Sequence, residues 1–114
     1  MTLIYKICDI EVWRAAERAG TFAGAGIDLT DGYVHFSAAD QVAETAARHF
    51  AGQRNLVLVA VDADALGREL KWERSRGGAL FPHLYGVLLL AAVRFVKPLP
   101  LGFDGLPLLP DLSD

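Results

Sequence analysis

The chain has 114 residues, and neither a Pro- or Ser-rich linker nor a shift in composition divides it, which predicts one domain. Hydrophobic residues make up 53% of it, so a core can form without a disulfide or structural metal, and the lone Cys8 excludes an internal disulfide and points to the reducing cytoplasm. A formal charge of −3 argues against nucleic acid as the main partner.

Membrane partners are excluded on length. The longest wholly apolar run, Val87 to Val93, is about a third of the roughly 20 residues a spanning helix needs. Lys6, Asp9 and Glu11 interrupt what would have to be a signal peptide's apolar stretch. A mean hydropathy of +0.28 is high for a small soluble domain, which keeps a homodimer joined through an apolar patch among the expected partners.

In chain order, Leu3-Ile4-Tyr5-Lys6-Ile7 alternates loosely and reads as a first strand. Asp9 is placed to cap a helix running to about Ala19, with Ile10, Trp13 and Ala16 or Glu17 marking one side and Gly20 in the left-handed position that ends it. Residues 20–32 hold four glycines and no apolar period, which predicts a loop long enough for a functional role. Those glycines lack the spacing of a dinucleotide fingerprint.

Gly32-Tyr33-Val34-His35-Phe36-Ser37 reads as a short strand, with Tyr33, His35 and Ser37 on one face and Val34 and Phe36 on the other. Ser37 then caps a helix whose stripe is Val42, Ala46 and Phe50 and which Gly52 ends; this helix is predicted to be the longest element. Its free N–H groups would lie next to His35 and favour an anion or phosphate there. Leu56 to Val61 is a continuous apolar run, the mark of a central strand covered on both faces.

Asp62 to Gly67 reads as a turn, since the other ligands of a calcium loop are missing. Glu69 to Glu73 alternates, with Leu70 and Trp72 opposed to Glu69, Lys71 and Glu73. The basic loop Arg74-Ser75-Arg76-Gly77-Gly78 follows. Its charges are either a solvated surface or, with Glu73, a carboxylate and arginine clamp for a phosphorylated ligand. In Phe81-Pro82-His83-Leu84-Tyr85-Gly86, Pro82 blocks a central ladder position and predicts an edge or irregular turn, from which His83 and Tyr85 project together. Arg94 to Lys97 is a final strand closed by Pro98. Residues 1–98 form the domain, and 99–114 a Leu/Pro-rich tail packed on the surface or a partner.

The chemistry is expected at one pocket bordered by Tyr33, His35, Trp72, Glu73, His83 and Tyr85, with Ser37 at its edge. His49 falls at a helix C-terminus and is read as structural. No HxH, HExxH or CxxC spacing supports a metal site. Neither Cys8 nor Ser37 has the surroundings of a catalytic nucleophile.

The run Ile4-Tyr5-Lys6-Ile7, Gly32 to Ser37 with Ala39-Asp40-Gln41-Val42, Trp72-Glu73, and Phe81 to Gly86 resembles the bacterial domain-of-unknown-function 952 family over residues 3 to about 98. Lys6 stands where that family usually has histidine, Phe36 where it has cysteine, and Val87 where it has proline. The family is similar, more distantly, to ADP-ribosyltransferases, an α+β fold that holds NAD in a cleft between two small sheets. That likeness makes NAD a candidate cofactor. It also implies roles for Lys6, for Tyr33 with His35, and for Glu73 or Tyr85.

The fold expected is therefore α+β, with two helices and a twisted, mostly antiparallel sheet. His35 and Glu73 are the catalytic candidates, and Lys6, Tyr33, Ser37, Trp72, Arg74, Arg76, His83 and Tyr85 the ligand-binding ones. Three functions compete: binding of a small nucleotide-like ligand, NAD-dependent ADP-ribosyl transfer, and a non-catalytic interaction or accessory role.

Overall fold

A computed structural model describes residues 1–112, and of Arg76 only the backbone. The fold is α+β, built on antiparallel pairings. A four-stranded sheet has the order β4-β1-β5-β9: Ser37–Ala38, Leu3–Asp9, Leu56–Asp62 and Val93–Leu99. A three-stranded sheet has the order β3-β7-β6: Val34–His35, Leu80–Leu84 and Leu70–Arg74. The short strands β2 (Thr21–Phe22) and β8 (Leu88–Leu89) pair separately.

The apolar run of β5 is central, between β1 and β9, and its alternation divides the interior in two. Val57, Val59 and Val61 point into one core with Ile4, Cys8, Trp13, Val34 and Leu84. Leu56, Leu58 and Ala60 point into another with Tyr5, Ile7, Val42, Ala46 and Leu99. Lys6 shares the face of Ile4 and Cys8, so it is aimed toward the smaller sheet.

Helix α1 (Ile10–Ala19) has the predicted caps. The Asp9 side chain accepts from the Glu11 N–H, and Gly20 takes φ +83° while its N–H donates to the Ala16 carbonyl. The stretch 20–32 is not simply a loop. It contains β2 and a five-residue helix, α2 (Ile27–Asp31), too short for a period to show. Among the described residues there are thus three α-helices rather than two, with 3₁₀ turns at Ala63–Glu69, Arg76–Gly78 and Leu90–Ala92.

Ser37 does not cap a helix. It lies in β4 opposite Tyr5, and its buried hydroxyl meets Thr45 Oγ1 at 2.8 Å. Gln41 closes the turn instead, its side-chain carbonyl accepting from the Ala38 N–H at 2.9 Å. Helix α3 (Val42–His49) begins only after that turn, with no side-chain cap. Strand pairing has taken the residues that looked like a helix start, so α3 has eight residues against ten in α1 and its N-terminus does not directly follow His35.

Pro82 does not hold its segment at an edge, because β7 is the middle strand of its sheet. The partner on one side is short. β3 pairs Val34 with Leu84 and His35 with His83, and one more bond runs from the Phe36 N–H to the Pro82 carbonyl. Within a strand a residue's N and O point the same way, so the donor Pro82 lacks is the one that would continue this ladder. There the chain leaves for β4 in the other sheet. Pro98 likewise does not close β9, which continues to Leu99 as an outer strand. Leu109 and Leu112 pack against the second core. Among the described residues no helix is long and apolar enough to cross a membrane.

Leu58 is 0% exposed, so Leu58→Ala should cost about 2–5 kcal/mol in urea denaturation. Leu89→Ala, at 60% exposed, should stay within about 0.5 kcal/mol of the parent.

Candidate ligand-binding site

The pairing registers of the smaller sheet gather one face of rings and charges. His35 sits directly opposite His83, with ring centroids 5.4 Å apart. Tyr33, one residue before β3, lies 4.5 Å from His35, 4.2 Å from His83 and 5.1 Å from Tyr85. Glu73 pairs opposite Phe81 and shares this face. Trp72 does not. Adjacent strand residues point to opposite faces, so placing Glu73 here sends Trp72 to the other side, where it borders a separate cavity of about 430 Å³ with Thr2, Gly67 and Leu70.

Glu73 Oε1 joins two of the strand's partners. It accepts from the Tyr85 hydroxyl at 2.6 Å and lies 2.9 Å from His83 Nδ1. The Tyr85 bond, then the His83 bond, hold the Glu73 carboxyl below its ordinary value, and the same bond pushes Tyr85 up to about 12. The proton therefore stays on Tyr85. A carboxylate has no proton to offer, so His83 Nδ1 is the donor.

The group that assembles the other half of the face is Asp28, a residue the sequence reading did not weigh. It is 2% exposed. Its carboxylate accepts from the Ala25 N–H at 3.1 Å, the His35 N–H at 3.1 Å and His35 Nδ1 at 2.6 Å. Lys6 Nζ lies 3.0 Å from Oδ2 and also donates to the His35 carbonyl at 3.1 Å. Burial pushes the Asp28 carboxyl up, but the His35 hydrogen bond and the Lys6 charge outweigh it and hold it at about 2. Gly24 makes room: with φ +110°, a Cβ there would stand 2.8 Å from Asp28 Cβ. The available signal was Lys6 itself, since a lysine in the middle of a buried strand requires a carboxylate partner.

His35 Nε2 faces Asp31 Oδ2 at 3.0 Å, so both ring nitrogens meet carboxylates. Both bonds form together only when the ring carries two protons.

A cavity of about 610 Å³ opens beside this face, within the usual range for small-molecule sites. Lys6, Tyr33, His35, Ser37 and His83 line it, as do Asp28 and Asp31. Glu73 and Tyr85, expected at its border, do not line it; Glu73 contacts His83, and Tyr85 contacts Tyr33. Arg74 is turned away, donating to the Gly78 carbonyl at 3.0 Å within its own loop. The Arg76 side chain lies outside the described residues. Cys8 also lines the cavity, but burial pushes its thiol up to about 11. Among the described residues no three His, Cys, Asp or Glu side chains converge as a metal ion requires.

The family model described as "Protein of unknown function (DUF952)" matches residues 7–96. The chain belongs to the DUF952 family. Crystal structures of protein CC0527 from Caulobacter crescentus resemble this DUF952 domain closely. One is 54% identical and covers 94% of each chain with a TM-score of 0.91. The solution NMR structure of the same protein is 55% identical, covers 94% of this chain and 92% of its own, and has a TM-score of 0.85. No curated protein matches the chain.

Two outcomes follow from the Asp28 geometry. Asp28→Asn leaves Lys6 as a largely buried, unpaired charge and should cost about 3–5 kcal/mol. In the parent, a carboxyl held at about 2 against its ordinary 3.8 contributes about 2 kcal/mol of stability. The sign is that of a depressed acid: the contribution is full above 3.8 and is lost as pH falls toward 2. Acid titrations of stability should therefore be flatter in that window for the variant than for the parent.

Proposed function

We propose that the cavity binds a small, flat, nitrogen-containing ring ligand of the nucleoside kind. The observation that carries this reading is the single wall on which Tyr33, His35 and His83 stand in mutual contact beside a ligand-sized cavity. Flat rings gain from such contacts, and a few convergent polar groups at their edge fix orientation.

The charges favour the ring over the phosphate of a nucleotide. No arginine lines the cavity among the described residues, and Lys6 is engaged by Asp28. Asp31 adds negative charge at the same wall. Among the described side chains a phosphate group meets no arginine clamp there. ADP-ribosyl transfer would rest on Glu73, whose Oε1 is held by Tyr85 and His83, so binding is better supported than NAD cleavage.

A thermal-stability screen tests this with adenosine, nicotinamide, NAD and inorganic phosphate. A ring ligand at a hundred times its Kd should raise stability by about 2.7 kcal/mol, and phosphate should not. Tyr33→Ala should fold and lose the ligand effect. Release of nicotinamide from NAD would mark the enzyme reading instead. A screen in which no ring compound stabilises the protein overturns the proposal.

A further inference from the structure

We infer that Nε2 of His83 is the selecting group of this site, a hydrogen-bond acceptor for ligands that carry an N–H donor on the ring edge. This rests on the ring-binding reading and names the ligand class within it. His83 is 3% exposed, and its Nδ1 is directed at Glu73. Nε2 has no hydrogen-bond partner among the described residues, and it is not among the buried atoms sealed from solvent, of which Trp13 Nε1 is the one without a partner. His83 lines the cavity, the side from which we place a ligand against this nitrogen.

The neighbouring groups fix its state. Tyr85 keeps its proton and donates a hydrogen bond to Glu73, leaving the carboxylate to accept from Nδ1–H. In its neutral form the ring then presents a lone pair at Nε2. His35, across the ladder, has both nitrogens directed at Asp28 and Asp31 and offers no acceptor. Lys71 pairs opposite His83 on the other strand, and Tyr33 lies across its ring. Glu73 is thus a positioning residue: it acts through His83 by holding one tautomer. Purines with an exocyclic amine and pyridine carboxamides have the required donor. Analogues that present only acceptors would set lone pair against lone pair.

Matched ligand pairs provide the test. Adenosine differs from purine riboside by the amine alone, and nicotinamide from 3-acetylpyridine by the amide NH₂. In calorimetric titrations the donor-bearing member of a pair that binds should bind about tenfold more tightly or better. Nitrogen-15 spectra of the free protein should show His83 protonated at Nδ1, with the Nε2 signal moving when the donor-bearing ligand is added. Glu73→Ala should mix the tautomers and bring both members to similar affinity. If that variant does not fold, the parent's spectrum still decides. Equal affinity within each pair, or a ring protonated at Nε2, overturns the inference and leaves the ring-binding reading standing. Absence of binding by every member overturns both.

Discussion

One buried carboxylate ties together three segments distant in sequence. Asp28 comes from a short helix in a glycine-rich stretch, yet it accepts bonds from Lys6 on β1, from Ala25 in its own loop and from both the backbone and ring of His35 on β3. Lys6 and His35 belong to the two different sheets. A charge this deeply placed is tolerated only because its acceptor capacity is filled and a lysine balances it. Its constraint is local and directional. It turns the His35 ring toward Asp31, and it anchors the Lys6 ammonium against the His35 carbonyl.

The second carboxylate of the face, Glu73, sets His83 in a different way. His35 meets acceptors on both sides, whereas His83 meets one. Two imidazoles in edge contact therefore have unlike hydrogen-bond surroundings. Tyr33 touches both and also Tyr85, so the ring wall and the two carboxylate systems form one unit. The apolar residues of β3 and β7, Val34 and Leu84, face the other way into the core, which keeps this unit on a rigid support.

Much of the frame was legible because it rests on local chemistry. The Asp9 and Gly20 caps and the doubly covered run of β5 are signals that a few residues carry by themselves. Strand alternation also put His35 with Tyr33 and Glu73 with its neighbours. What was not legible depended on partners distant in sequence. Ser37 looks like a helix cap until Tyr5 pairs with it. Pro82 looks like an edge residue until the shortness of β3 is known. Asp28 looks like a loop residue until Lys6 is seen to face it, and Trp72 seemed to belong with Glu73 although the same alternation separates them.

The most direct measurement of the central claim is a map of backbone amide shifts in isotopically labelled protein as adenosine, and then nicotinamide, is added. Binding at the ring wall predicts that the changes concentrate at Ala25 to Asp28, Tyr33 to His35 and His83 to Tyr85, with Thr2, Gly67 and Trp72 unmoved. Changes centred on the cavity beside Trp72, or none with either compound, would contradict it.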